Sequence, residues 1–356
     1  MKNLAVKLLI SLLKIHSPPY KEEKAIRTLH NYVSELNYDE VYIDDVGNLI
    51  ASYGQGPRII SLIGHIDTIP DFIPVHFDGN IITGRGAVDA KGPLTAMFIG
   101  ASLAKRFIDL NRVKVYVIAT VGEEGSSHGA WYLIKRGFKS DYVVIGEPSN
   151  GNGIVIGYRG SCKIVIKCSS KGGHSSTPWI SESACDKLIN IWLKLKDMFN
   201  GASSKEFSIS LLKLSCGSNY TVLPKEGSAY IDIRIPIGSG IDEVLNNIRN
   251  GNMDFERCSF EVKDFVKPVR TPINAKIVRA LVRSIIRANL KPKLLIKLGT
   301  SDMNLLHGTV SNEVVAYGPG KSELAHTDQE YIEVNELMTG INIYKNVIIE
   351  ILNLLY

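Results

Sequence analysis

Short apolar runs that end in an acidic or imidazole side chain constrain this chain more than any other feature of its sequence. Three such runs lie in the first 150 residues, at 59–67 (IISLIGHID), 115–125 (VYVIATVGEEG) and 142–149 (YVVIGEPS), and helical patterns alternate with them at 20–36 and 92–107. This alternation predicts an α/β fold with a mostly parallel central sheet covered by helices. Sheets of this kind bind ligands beyond the carboxyl ends of their strands, so the polar residues that end these runs are candidate site residues.

The length and a change of pattern predict two domains. At 356 residues the chain exceeds a typical single domain. From residue 153 the runs become longer and follow the order strand, helix, strand, strand, helix, strand, which is typical of an antiparallel α+β (ferredoxin-like) unit. We therefore expect a discontinuous catalytic domain, 1–150 and 266–356, interrupted by an inserted domain at 151–265.

The terminal segments and the cysteines predict a cytoplasmic protein that does not interact with membranes. The apolar stretch 4–15 is interrupted by Lys7 and Lys14 and is followed by no small-residue cleavage site, and the apolar run 341–356 is too short to span a bilayer. The five cysteines contain no CxxC pair, and we expect them to be free, buried thiols.

The run at 59–67 ends in His65 and Asp67. In an extended segment residues i and i+2 project to one side, so the Asp67 carboxylate can orient an imidazole that binds a metal. Residues 84–92 (GRGAVDAKG) place Asp89 in a glycine-rich loop before a helix. Asp89 can bridge two cations with its two oxygens, or it can simply cap the helix.

The remaining candidates are Glu123 and Glu124 at one strand end, Glu147 at another, and His326 in 325–330 (AHTDQE). On an extended strand neighbouring side chains point in opposite directions, so one carboxylate of the Glu123–Glu124 pair can bind metal while the other transfers protons. Each residue alone could be a solvated loop or surface residue. Together, two histidines and three carboxylates make two overlapping tetrahedral sets.

These motifs resemble the M20 metallopeptidase family in order and spacing. From His65 the steps are 24 residues to Asp89, 35 to Glu124, 23 to Glu147 and 179 to His326. The resemblance implies a zinc-peptidase-like catalytic domain with two Zn²⁺ ions, for which Co²⁺ can substitute. One ion would be held by His65, Asp89 and Glu147, and the other by Asp89, Glu124 and His326. Glu123 would be the general base, and Asp67 would support His65.

The same resemblance makes the inserted domain a lid and dimerisation domain. Its motif at 170–178 (SKGGHSSTP) implies that His174 stabilises the oxyanion, usually in the partner subunit of a homodimer. Asn219, Arg234 and Thr300 match positions near the substrate in relatives. Two alternative interpretations stay open. In the first, His174 caps a loop; in the second, Arg234 is an exposed charge on a strand.

The motif GRGAVDAKGPL, together with GTSD, resembles the branch of this family that releases lysine or ornithine from the acidic carrier protein LysW. Residues 266–299 hold nine basic residues and no acidic one. Lys276, Arg279, Arg283 and Arg287 are spaced for one helical face, which can dock an acidic partner or simply be solvated. Nucleic acid is disfavoured because no aromatic stacking motif accompanies the charge. N-acetylornithine deacetylase, succinyl-diaminopimelate desuccinylase, dipeptidase and an inactive binding protein remain alternatives.

Overall fold

The computed structural model describes residues 1–217, 220–251 and 255–354. The chain divides into a first unit, formed by Met1–Ile156, Thr271–Leu295 and Ser301–Tyr356, and an inserted unit, formed by Gly157–Arg270 and Ile296–Thr300. Sequence analysis placed 151–265 in the insertion and assigned 296–300 to the catalytic domain.

The described residues contain helices and strands that we number in chain order. The helices are α1 (Lys2–Leu13), α2 (Glu23–Ser34), α3 (Lys91–Ala104), α4 (His128–Lys135), α5 (Ala184–Met198), α6 (Ile241–Asn250), α7 (Lys276–Arg287), α8 (Asp302–Leu306) and α9 (Val334–Asn353). The strands are β1 (Glu40–Ile43), β2 (Leu49–Tyr53), β3 (Arg58–His65), β4 (His76–Phe77), β5 (Ile81–Thr83), β6 (Val113–Thr120), β7 (Tyr142–Gly146), β8 (Gly153–Tyr158), β9 (Gly160–Ser169), β10 (Gly173–His174), β11 (Ser208–Cys216), β12 (Val222–Leu223), β13 (Glu226–Ile235), β14 (Cys258–Val266), β15 (Val269–Arg270), β16 (Lys293–Lys297), β17 (Val314–Tyr317) and β18 (Tyr331–Glu333). Short 3-10 helices occupy Lys105–Phe107 and Ser322–Leu324.

The first unit is built on a sheet whose strand order includes β1-β2-β6-β3-β7-β17-β8. The four middle strands, β6, β3, β7 and β17, are parallel, and the pairings on either side of them are antiparallel. Strand β7 is buried along its whole length, as expected of a strand covered on both faces. The prediction of an α/β fold with a central parallel sheet is confirmed.

Helix α3 shows why the sheet needs a helical layer on it. All of its residues except Leu103 are buried, and it packs against α9 and against strand β3. A helix that is apolar all round is stable only when it is enclosed. Because α3 begins two residues after Asp89, this packing fixes the position of the loop that carries Asp89.

The inserted unit has the order β9, α5, β11, β13, α6, β14. Its sheet has the strand order β11-β13-β9-β14, and every pairing is antiparallel, which is a ferredoxin-like topology. The apolar faces of α5 and α6 contribute Leu188, Leu195, Val244 and Ile248 to its core. Ser183 caps α5 by accepting hydrogen bonds from the backbone N–H groups of Cys185 and Asp186.

The expectation of free cysteines is wrong for four of the five. Cys168 and Cys258 lie directly opposite each other on β9 and β14 and form a disulfide, and Cys185 at the start of α5 is bonded to Cys216 at the end of β11. Cys162 is free and buried. Sequence spacing could not reveal these pairs, because strand register and helix packing bring together residues that are 90 and 31 positions apart.

Within the described part of the chain, no helix combines the length and apolarity needed to cross a lipid bilayer.

The disulfides predict how many thiols the unfolded chain exposes. In denaturant without reductant, thiol titration should find about one thiol per chain, Cys162, and five after full reduction. The variant Cys162→Ser is the control and should give none before reduction. Five titratable thiols in non-reduced protein would contradict both pairings.

Candidate metal centre

Three parallel strands of the first unit bring the predicted residues to one edge of the sheet. His65 is the last residue of β3 and lies opposite Thr120, the last residue of β6. Glu147 directly follows β7, which pairs with β3 on its other side. Parallel strands in register end at a common edge, so the strand order itself places an imidazole and carboxylates together.

The first group of candidate ligands is His65, Asp89 and Glu147. The Nε2 atom of His65 lies 3.2 Å from Oδ1 of Asp89 and 3.8 Å from Oε1 of Glu147. His65 and Glu147 are buried, and Asp89 is partly buried. Ligand atoms of the three residues lie within 4.8 Å of one another, a spacing that allows one ion to contact all of them.

The second group is Asp89, Glu124 and His326. The Nε2 atom of His326 lies 2.6 Å from Oε1 of Glu124 and 3.4 Å from Oδ2 of Asp89. Asp89 therefore presents Oδ1 to His65 and Oδ2 to His326. One carboxylate shared between two sets of nitrogen and oxygen donors suits a pair of divalent cations, and the residues present fit two zinc ions.

Asp67 has a wider role than orienting His65 through its carboxylate. The Nδ1 atom of His65 lies 3.0 Å from the backbone oxygen of Asp67 and 3.6 Å from the carboxylate oxygen Oδ1. An Nδ1–H donated to that carbonyl leaves Nε2 unprotonated and able to bind a metal. The carboxylate also accepts hydrogen bonds from the backbone N–H groups of Glu123, at 3.1 Å, and Glu124, at 2.9 Å.

Glu123 and Glu124 lie in a turn rather than on a strand, which corrects the argument from alternating strand directions. Strand β6 ends at Thr120, and Gly122 adopts a φ of +77°. A Cβ atom there would approach the imidazole of His128 to 2.2 Å, so only glycine fits this turn. The turn brings ligand atoms of both glutamates and His65 within 4.8 Å of one another, so both carboxylates face the site.

Burial and crowding of charge shift the pKa values of the candidate site residues. Burial raises the pKa of the Glu123 carboxyl well above its usual range, His65 opposes this rise, and Glu147 and Asp302 reinforce it. Burial by itself lowers the pKa of His65, but hydrogen bonds to Asp67 and Asp89 outweigh it, so the net pKa is raised. A raised pKa makes the Glu123 carboxyl a stronger proton acceptor than an ordinary glutamate.

Three further residues lie close to the site and were not predicted from the sequence. Asp302 is buried at the start of α8, accepts a hydrogen bond from Thr120 Oγ1 at 3.2 Å, and burial raises its pKa to about 6. Arg85 and Glu330 form a buried ion pair at 3.0 Å. Each lies in a quoted motif, GTSD, GRGAVDAKG or AHTDQE, but a motif does not reveal which of its residues are buried.

The other predicted residues belong to the inserted unit. His174 is exposed, and its Nδ1 accepts a hydrogen bond from the backbone N–H of Ser176 at 3.2 Å. The Nε atom of Arg234 lies 2.9 Å from Oδ2 of Asp232. Thr300 is exposed, and Asn219 lies outside the described residues.

Comparisons with known proteins agree with this architecture. The chain is 36% identical over 346 residues to a [LysW]-lysine/[LysW]-ornithine hydrolase of Sulfurisphaera tokodaii, which covers 97% of this chain and 94% of that protein. Its fold resembles that of aminopeptidase PepT from Bacillus cereus, with a TM-score of 0.83, 21% identity and 99% coverage of both chains. It also resembles a dinuclear metal binding M20 peptidase of Bacillus subtilis, with a TM-score of 0.78, 13% identity and coverage of 99% and 98%. Residues 61–350 match the model of peptidase family M20/M25/M40, and the chain therefore belongs to this family.

Proposed function

We propose that this protein is a metal-dependent amide hydrolase that releases lysine, ornithine or both from the carrier protein LysW. The proposal rests on one observation: five candidate ligands lie close together in two groups that share Asp89. They are His65, Asp89, Glu124, Glu147 and His326. The substrate is inferred from the relative of Sulfurisphaera tokodaii, which aligns with nearly the whole chain.

In this proposal two Zn²⁺ ions are the cofactors, and Co²⁺ can substitute because it takes the same nitrogen and oxygen ligands. One would be held by His65, Asp89 and Glu147 and the other by Asp89, Glu124 and His326. When bound, such ions supply positive charge that polarises an amide carbonyl and lowers the pKa of water toward about 7.

The residues of the chain perform the proton transfers. Glu123 takes a proton from the attacking water, whose oxygen bonds to the amide carbon, and returns it to the nitrogen as the C–N bond breaks. Asp67 supports this step by accepting the backbone N–H of Glu123 at 3.1 Å, which fixes the turn. The products are the carrier carboxylate and the free amine of the amino acid.

Residues of the inserted unit complete the proposal. His174 would stabilise the oxyanion, since an Nδ1 that accepts a hydrogen bond leaves the proton of a neutral imidazole on Nε2. Arg234 would bind the substrate carboxylate; its Nη1 has no hydrogen-bond partner among the described residues. Asn219 and Thr300 stay predicted substrate contacts.

The inserted unit is the proposed lid and dimerisation domain. Its exposed edge strand β11 supports homodimerisation through this unit. Leu212 and Leu214 on this strand are exposed, and so are Ile189 and Leu193 on α5. An apolar edge strand is a template for pairing with a second copy of the chain. A sedimentation mass equal to the 39.2 kDa of one chain would contradict this assembly.

The basic helix α7 is the proposed docking site for the acidic carrier, but only part of it is available. Arg283 and Arg287 lie 3.5 Å and 2.6 Å from the buried carboxylate of Glu350 on α9 and compensate its charge. Lys276 and Arg279 are exposed, and no ion pair to either is found among the described residues. The start of α7 lies beside Glu313, which precedes β17 and whose carboxylate accepts hydrogen bonds from the backbone N–H groups of Lys276, at 3.3 Å, and Ile277, at 2.9 Å.

Small N-acyl substrates and a binding role without catalysis are the competing hypotheses. The same metal groups would serve an N-acetylornithine deacetylase, a succinyl-diaminopimelate desuccinylase or a dipeptidase. An inactive binding protein is disfavoured because Glu123 and all five candidate ligands are present.

Comparison of substrates tests the proposal directly. The purified, metal-loaded protein should hydrolyse carrier-linked lysine or ornithine with a higher kcat/KM than N-acetylornithine or N-succinyl-diaminopimelate. Release of the amino acid is measured by chromatography. A preference for a small substrate would replace the carrier assignment, and failure on all four would defeat the assignment as a deacylase.

The variant Glu123→Gln tests the general base. It should retain both metal ions, because Glu123 belongs to neither of the two candidate ligand groups that share Asp89. Its kcat should fall roughly 10²–10⁴-fold, since glutamine cannot accept the proton. Metal content and steady-state kinetics check the two halves of this expectation. Unchanged kcat would refute the role of Glu123.

Charge reversal on α7 tests carrier docking. The double variant Lys276→Glu/Arg279→Glu should lower kcat/KM for carrier-linked lysine about tenfold at low salt and leave a small N-acyl lysine nearly unaffected, because these charges attract only the carrier. Arg283 is avoided, since its reversal would leave Glu350 buried beside a like charge.

The control for this experiment is the double variant Lys21→Glu/Lys24→Glu, which makes the same change of charge at exposed positions on and beside α2. Equal losses in the two double variants, or equal losses on both substrates, would contradict a docking role for α7.

A further inference from the structure

The carboxylate of Glu330 is inserted into the loop that carries Asp89. Its side chain is fully buried, and each of its oxygens accepts two hydrogen bonds. Oε1 accepts from the backbone N–H groups of Val88, at 2.9 Å, and Asp89, at 3.0 Å. Oε2 accepts from the backbone N–H of Gly86 and from Nη1 of Arg85, both at 3.0 Å. The carboxylate thus accepts hydrogen bonds from the backbone N–H groups of a loop that is not paired with a strand.

The same pair of residues holds the segment that carries His326. Nη1 of Arg85 also donates to the backbone oxygen of Thr327 at 2.9 Å, and the backbone N–H of Gly84 donates to the backbone oxygen of Glu330 at 3.1 Å. His326 itself adopts a φ of +62°, in the left-handed region that few residues other than glycine adopt. The contacts of Arg85 and Gly84 with Thr327 and Glu330 hold the backbone directly after it.

The two ligand groups differ in what positions them. In the first group, His65 ends strand β3 and Glu147 follows strand β7, so the sheet fixes both side chains. Asp89 belongs to both groups, but in the second group His326 also lies outside strands, so Glu330 and Arg85 join the segments that carry two of its three ligands. Glu124 is held separately through its backbone N–H and the Asp67 carboxylate.

We propose that Glu330, held by Arg85, is a positioning residue that aligns Asp89 with His326 and so sets the affinity of the second group for its metal ion. This inference rests on the proposed ligand set. Carboxylates that orient ligands in this way typically change metal affinity by about 10–100-fold when they are replaced.

The variant Glu330→Gln tests the proposal. Glutamine has a similar size and keeps one carbonyl oxygen as an acceptor. Its NH₂ group is a donor only, so one of the two pairs of N–H groups around the side chain loses its acceptor. Metal-free protein is titrated with Zn²⁺ by calorimetry, and the stepwise visible spectrum of Co²⁺ provides a second readout. The step lost in His326→Ala identifies the second group. In Glu330→Gln that step should weaken about 10–100-fold, and the other step, which is affected only through the shared Asp89, should weaken by a clearly smaller factor.

Glu336→Gln is the matched control, because Glu336 also accepts a backbone hydrogen bond, in the first turn of α9, without contacting the ligand segments. It should leave both steps unchanged. If Glu330→Gln does not fold, Arg85→Lys replaces it. Lysine keeps the charge but loses the planar guanidinium, which donates from Nη1 to Glu330 and Thr327 and from Nε to the Asp71 carbonyl. Arg85→Lys should weaken the same step.

Equal weakening of both steps, or no change in either step of a folded variant, would overturn the role of Glu330. A wild-type protein that binds two ions with neither step lost in His326→Ala would instead refute the proposed ligand set.

Discussion

Withdrawal of several neighbouring carboxylates from water is the constraint on which the rest of the first unit depends. Burial raises the pKa of the Glu123 carboxyl, the nearby imidazole of His65 opposes the rise, and Glu147, Asp302 and Glu124 add to it. Each unit of pKa shift corresponds to about 1.4 kcal/mol of unfavourable interaction for the charged form. Such a cluster is therefore stable in its ionised form only with added positive charge. The proposed ions supply that charge, and the scaffold holds the carboxylates in place for them.

Two acidic residues that are not candidate ligands restrain this cluster, because they accept hydrogen bonds from the backbone that carries the candidate ligands. Asp67 accepts the backbone N–H groups of Glu123 and Glu124, and Glu330 accepts those of three residues of the Asp89 loop. Hydrogen bonds to charged groups contribute about 1.5–3 kcal/mol each, so these bonds add to the stability of both turns. Two of the acidic groups thus fix the geometry of the others.

Much of the fold and of the grouping of the candidate ligands could be predicted from the sequence, because both follow from short-range patterns. Apolar runs gave strands β3, β6 and β7, and parallel strands with a common direction must bring His65 and Glu147 to one edge. The disulfides, the turn at Gly122 and the ion pairs of Glu350 could not be predicted. Each depends on register or packing between distant segments, which no local pattern encodes.

The basic helix shows how packing changes the meaning of a correctly predicted pattern. Helical spacing placed Lys276, Arg279, Arg283 and Arg287 on one face, and the structure has a helix there. Two of the four basic residues then ion-pair with a single buried glutamate on α9, since Glu350 lies 3.5 Å from Arg283 and 2.6 Å from Arg287. Arg283 and Arg287 therefore contribute to packing as well as to surface charge. Any attraction of an acidic partner rests mainly on Lys276 and Arg279 at the start of the helix.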